Sequence, residues 1–188
     1  NLTVNKIESN NTYPFSTINV DSNATLALSR AQGLYDGTTS GCMTPGITFN
    51  LHANSIVEYN GGINQTLTGN LTGLLPVSNQ YGILKINMQG TARAILNNTV
   101  IVRTKLILTN GALDLAGNSL TICTGNPTAI TRTNGYINSE LAGGLTAGTV
   151  IWKNMNFGLH EFPFGTSASA YLPVRLFFLA GLTTDVSV

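Results

Sequence analysis

The sequence predicts an all-β fold, a parallel β-solenoid (right-handed β-helix), on three observations. Apolar residues recur with a period of two in short runs, which is the alternation of a half-buried strand. Asn or Gly stands at most joints between those runs, where the chain must take left-handed turn conformations. No window carries apolar residues at i, i+3, i+4 and i+7 over three turns with credible caps, so almost no helix is expected.

Composition agrees with strands punctuated by turns. The 188 residues include 22 Asn, 25 Thr and 20 Gly. Thr is β-branched and favours strands, whereas Asn and Gly favour turns. A hydrophobic share of 43% is enough for a sizeable core and argues against disorder. Charged residues make up only 9%, against roughly 25% in an average soluble domain, so Asn and Thr must wet the surface. The formal charge of +1 and the lack of any basic run argue against nucleic acid as a partner, because phosphate binding needs a concentrated cationic footprint. No membrane span is expected either. The most apolar stretch, Leu172 to Leu182, contains Pro173 and Arg175 and is shorter than the ~20 residues of a spanning helix.

Taken along the chain, short strand units are expected at Thr25 to Leu28, Ile47 to Leu51, Ser55 to Tyr59, Ile83 to Ile86 and Ala92 to Leu96. The clearest alternation follows in Lys105 to Leu108, Ala112 to Leu115 and Ser119 to Ile122, with turns at Asn110-Gly111 and Ala116-Gly117-Asn118. Two more units fall at Ala129 to Thr131 and Gly135 to Ser139. The inward positions of the central stretch, Leu106, Leu108, Leu113, Leu115, Leu120 and Ile122, form the expected core ladder. Strands this short, joined by two-residue turns, pair antiparallel in a meander; in a solenoid each forms one face of a coil and pairs with the coils above and below. Spacing within this stretch does not separate the two. The uneven intervals elsewhere favour the solenoid, because an insertion at one corner becomes a loop and leaves the stacked faces intact. A sandwich or barrel wants longer strands of matched length. Coils of about twenty residues, stacked ~4.8 Å apart, would make residues 1–159 a rod roughly 35 to 40 Å long.

The texture changes near Trp152. Trp152, Phe157, Phe162, Phe164, Tyr171, Phe177 and Phe178 follow one another with Pro163 and Pro173 among them. Residues 160–188 are therefore expected to form an aromatic-rich cap on the coil stack, or the start of a following β-sandwich-like domain. A sharper alternative is an aromatic platform for sugar rings. The chain opens at Asn1 without a targeting segment and stops at Asp185-Val186-Ser187-Val188 as if in mid-strand, so a fragment or processed piece of a longer protein is expected.

Specific residues carry a resemblance. Ser55-Ile56-Val57-Glu58-Tyr59-Asn60-Gly61 is followed by Asn64-Gln65-Thr66-Leu67, then by Tyr81-Gly82-Ile83-Leu84-Lys85-Ile86-Asn87, then by the run from Leu106 to Ile122 centred on Asn110-Gly111-Ala112-Leu113-Asp114-Leu115. In that order they resemble the repeats of the large secreted β-solenoid proteins of Bacteroidetes. Thr133 to Ile137, Phe162 to Thr166 and Tyr171 to Val174 are similar to the segments that follow in those chains, so the likeness spans roughly Ile47 to Val174. The resemblance implies a surface-exposed or secreted protein, commonly a type IX secretion substrate, and often an adhesin or a filament component. The C-terminal sorting domain of such proteins is not visible in this sequence.

Catalytic constellations are sparse. His52 and His160 stand alone, and His160 and Glu161 are strand neighbours that point to opposite faces, so no metal site is expected. Strand parity gives the carboxylates Glu8, Asp21, Asp36, Glu58, Asp114, Glu140, Glu161 and Asp185 no clear facing pair for glycoside hydrolysis. A pectate-lyase-like arrangement would need Glu58, Asp114, Arg103 and Lys105 on one face, with Ca²⁺; the simpler reading of Asp114 is the outward residue between Leu113 and Leu115. Gly61-Gly62 and Gly143-Gly144 read as turns, because no helix follows to serve a phosphate. Cys42 and Cys123 belong to no metal-ligand cluster, and either a disulfide or two buried thiols fits their spacing.

The expected function is therefore a non-catalytic structural or adhesive module of a larger cell-surface or secreted protein, extracellular and without a cofactor. Its expected partners are other domains of the same chain, neighbouring surface proteins, polysaccharide, or further copies of itself. The alternatives are a carbohydrate-binding module, a polysaccharide lyase and a filament subunit.

Overall fold

The computed structural model of the chain describes residues 2–4, 16–34, 47–68, 80–140, 147–167, 169–179 and 183–188. Among them the chain is all-β, with strands and no helix. One sheet contains, in spatial order, β1 (Leu2–Val4), β3 (Thr25–Leu28), β5 (Ile56–Tyr59), β7 (Gln80–Asn87), β9 (Val100–Asn110), β11 (Ser119–Ile122), β14 (Thr149–Met155) and β17 (Thr184–Ser187); β12 (Ile130–Arg132) also pairs with β9. A second sheet runs β13 (Tyr136–Asn138), β10 (Ala112–Asp114), β8 (Arg93–Leu96) and β6 (Gln65–Leu67). Two strand pairs complete the inventory, β2 (Ser16–Val20) with β4 (Ile47–Leu51) and β15 (Gly158–Phe162) with β16 (Val174–Phe178).

From β5 to β11 the chain passes back and forth between the two larger sheets, one strand in each. β9 and β11 pair parallel with β10 between them in sequence but on the other sheet, so the central stretch is not a hairpin meander. Pairing is parallel from β1 through β14 in the large sheet, throughout the second sheet, and in β2–β4. Among the described strands it is antiparallel at β14–β17 and β15–β16, and an isolated antiparallel bridge joins Gly165 to Tyr171.

In-register parallel pairing stacks like on like. Leu26 pairs with Val57, Val57 with Leu84, Leu84 with Leu106 and Leu106 with Ile130. A second row joins Tyr81, Val102, Ile122 and Trp152. The second sheet contributes Ala94, Leu113 and Ile137. Nearly all these residues are fully buried in one hydrophobic core, as are Leu108, Leu115 and Leu120. Removing each such Leu, Ile or Val from water contributes about 1.5–3 kcal/mol as an upper estimate. Surface ion pairs contribute about 0–1 kcal/mol, so the aliphatic rows hold the fold.

Two irregularities explain the length of β9. Tyr81 faces Val102 and Ile83 faces Lys105, so Gly82 stands opposite both Arg103 and Thr104; the register slips again between Ile86 and Asn87. Such bulges bend a strand and sharpen its twist. The first part of β9 then pairs with β11 and the last part with β12. The Thr104 hydroxyl secures the bulge by donating to the Ala53 carbonyl at 2.7 Å. At the end of β9, Gly111 takes φ +76°, a left-handed turn that an L side chain resists, and the chain leaves for the second sheet.

The buried face is not wholly apolar. Gln65 is fully buried at a corner, where its amide donates to the Leu28 and Arg30 carbonyls at 2.9 and 2.7 Å and accepts from the Gly61 N–H at 2.7 Å. A buried amide whose hydrogen bonds reach neighbouring strand ends ties one corner to the next. At the other end, the inner face of β15–β16 closes over Trp152. That indole is ringed edge-on by His160 at 4.8 Å and Phe162 at 5.3 Å, and donates to the Thr124 carbonyl at 2.7 Å.

Candidate functional site

Among the described residues, each partly buried carboxylate has its own cation. On the outer face of β5 and β7, Lys85 lies 3.1 Å from Glu58, and Asn87 donates to the same oxygen at 2.8 Å. On the second sheet, Arg93 lies 3.0 Å from Asp114, whose other oxygen accepts the Ala116 N–H at 3.1 Å. Asn138, one strand further along, reaches Asp114 at 3.4 Å. Glu58 and Asp114 therefore sit on different sheets, and their cations are Lys85 and Arg93 rather than Arg103 and Lys105. Among the described residues, no group of three or more His, Cys, Asp and Glu side chains is placed to hold a metal ion.

A third cluster lies on the outer face of the β15–β16 hairpin. Tyr171 donates to one oxygen of Glu161, and Arg175, its register partner, donates to the other at 2.7 Å. Arg132 covers the Tyr171 ring, with its guanidinium 3.8 Å from the centroid, and donates to the Gly135 carbonyl at 2.7 Å. Burial alone would raise the Glu161 carboxyl, but the hydrogen bonds from Tyr171 and Arg175 and the charges of Arg175 and Arg132 outweigh it and hold it below the usual carboxylate range. Burial, then the bond to Glu161 and its charge, push the Tyr171 hydroxyl up to about 12. A general base for proton abstraction needs a pKa near the working pH, so this tyrosine is a clamp rather than a base.

Neither histidine is placed beside an acid. His52 sits in an exposed turn and accepts the Asn54 N–H on Nδ1 at 3.1 Å. His160 is fully buried and points away from Glu161, between Trp152 and Phe178. Its Nε2 lies 3.0 Å from the Asn156 carbonyl; a carbonyl only accepts, so that nitrogen carries the proton. Its Nδ1 is buried without a hydrogen-bond partner. Cys123 is a free, half-buried thiol, raised by burial against the opposing charges of Lys153 and Arg103, which disfavours the reactive thiolate. Cys42 lies outside the described residues.

The aromatic run divides between two faces. Trp152 and Phe162 are buried, whereas Phe157 and Phe177 are 60% and 62% exposed and meet edge to face at 5.9 Å. Leu159, opposite Phe177, and Leu179 extend this apolar outer face. The rings do not lie in one plane.

A concavity lies elsewhere, on the outer face of the second sheet. Arg93, Ala112 and Tyr136 form one register row across β8, β10 and β13. Beside this row lies a groove of about 430 Å³, walled by residues 90–92 and 110–112 and by Thr166, Ser167 and Ser169. Strand parity alone identified neither this row nor Lys85, Arg93 and Tyr171 as partners of carboxylates, because each depends on which strands pair and which loops fold against them.

No family model, no curated protein and no solved structure matches the chain. No helix among the described residues is long and apolar enough to cross a membrane.

Proposed function

We propose that the chain is a β-solenoid module, structural and adhesive rather than catalytic, within a larger secreted or cell-surface protein of the type IX-exported Bacteroidetes kind, and that it works outside the cell. The observation that carries this reading is the aliphatic row from Leu26 through Val57, Leu84 and Leu106 to Ile130, built from parallel strands that return to the same sheet after visiting another. Stacking of this kind builds a stiff spacer from a low-charge sequence. Glu58, Asp114 and Glu161 are each engaged by a cation and by further hydrogen bonds, an arrangement that favours a scaffold over an acid–base site. The exposed Phe157, Leu159, Phe177 and Leu179 support contact with a neighbouring domain or surface protein, since contiguous apolar patches commonly mark such contacts.

Immunogold labelling of intact cells, before and after external protease, tests the reading. Surface label that protease removes is expected. Label confined to the cell interior would overturn it.

A further inference from the structure

We infer that the groove over Arg93, Ala112 and Tyr136 binds a neutral oligosaccharide. The inference deepens the adhesive part of the proposed function and rests on it. At about 430 Å³ the groove falls within the ~300–1,000 Å³ usual for small-ligand sites. Its walls carry Thr91, Arg93, Asn110, Thr166, Ser167 and Ser169, a set of hydroxyl, amide and guanidinium groups that offers both donors and acceptors.

Other ligand classes fit this lining less well. Arg93 is the one charged side chain among the groove residues, and its guanidinium is neutralised by Asp114 at 3.0 Å, so an anion gains little there. An apolar ligand would strip water from the wall hydroxyls without replacing their hydrogen bonds. A peptide adding as a strand needs an open sheet edge, whereas β10 lies between β8 and β13 with both edges paired. A neutral polyhydroxylated chain satisfies the walls with its own hydroxyls, above a floor where Ala112 and Tyr136 are packed almost wholly out of water.

The walls are held before any ligand arrives. The Ser167 hydroxyl lies 3.1 Å from that of Ser169 and accepts the Ala170 N–H at 3.0 Å. The Asn110 amide donates to the Met88 carbonyl at 2.8 Å, fixing one corner against the one below. Such preorganisation reduces the ordering that binding would otherwise require.

Isothermal titration of the full chain with cellohexaose, laminarihexaose, mannohexaose and a polygalacturonate hexamer tests the inference. Binding of at least one neutral hexasaccharide is expected, weakened tenfold or more by Ala112→Phe, which fills the floor, and by Ser167→Phe on the rim. The rim variant keeps the test decisive if the floor variant does not fold. Failure of every neutral glycan to bind, preference for polygalacturonate, or binding that both variants retain would overturn the inference. Surface labelling without glycan binding defeats this inference alone; glycan binding by a protein found only inside the cell defeats the proposed location instead.

Discussion

Tyr59 and Tyr81 meet inside the core with their hydroxyls 3.0 Å apart, and the proton direction between them follows from their neighbours. Tyr81 donates to the Thr68 carbonyl at 2.7 Å, so its own oxygen accepts from Tyr59. Tyr59 in turn accepts the Thr68 N–H at 3.4 Å. The closed ring lets two phenols be buried where burial, followed by the charge and hydrogen bond of Tyr59, raises the Tyr81 pKa well above normal.

Breaking that ring at one point removes a hydrogen bond inside the core. Tyr81→Phe strips the donor from the Thr68 carbonyl and is expected to cost about 1–3 kcal/mol in urea unfolding. The double variant Tyr59→Phe/Tyr81→Phe is expected to cost less than the sum of the single ones, because the two share one network.

The aliphatic row makes a sharper demand. Leu106 is fully buried between Leu84 and Ile130, so Leu106→Ala is expected to cost about 2–5 kcal/mol. Ile107 points the other way and is half-buried, and Ile107→Ala is expected to cost under about 1.5 kcal/mol by the same measurement.

Two glycines with nearly the same backbone separate strain from crowding. Gly33 has φ +58°, and a Cβ there would sit 1.9 Å from the Thr66 carbonyl oxygen; Gly90 has φ +59° and open space around it. Gly90→Ala is expected to cost only the left-handed strain of ~1–2 kcal/mol. Gly33→Ala adds a backbone clash and is expected to exceed ~3 kcal/mol, read as the shift in unfolding midpoint.

The Glu161–Tyr171 clamp titrates at both ends of the pH scale. Glu161 has a lowered folded pKa, so its contribution is complete above the ordinary value of about 4.3 and is lost as pH falls through the folded value. Tyr171 is raised to about 12, so its contribution is complete below the ordinary value near 10 and is lost as pH rises through the folded one. Melting temperature against pH is expected to show both limbs, and Tyr171→Phe to abolish its share of the alkaline one.

Much of this fold was legible because burial and period two reinforce each other between Lys105 and Ile122, where Leu106, Leu108, Leu113, Leu115, Leu120 and Ile122 face in and Gly111, Ala116 and Gly117 take positive φ. What alternation could not show is partner choice. It left β6 unread because the inward residue there is Gln65, a polar side chain held by distant carbonyls. It placed the start of one unit at Lys105, whereas bulges extend β9 back to Val100 and let it serve two neighbours. The antiparallel hairpin of β15 and β16 escaped for a related reason: its outer face mixes Leu159 and Phe177 with the paired Glu161 and Arg175, which blurs the alternation along the aromatic run. The ion pairs and the groove join residues from successive turns of the chain, and only register brings them together.

β10 pairs with β8 and β13, and β9 pairs parallel with β11, rather than the three pairing in succession as a meander. A methyl and Hα nuclear Overhauser spectrum of the isotopically labelled chain tests this pairing most directly. Methyl contacts are expected in sequence from Leu26 to Val57, Leu84, Leu106 and Ile130. Strong Hα–Hα contacts between β9 and β10 and between β10 and β11, the signature of antiparallel neighbours, would contradict it.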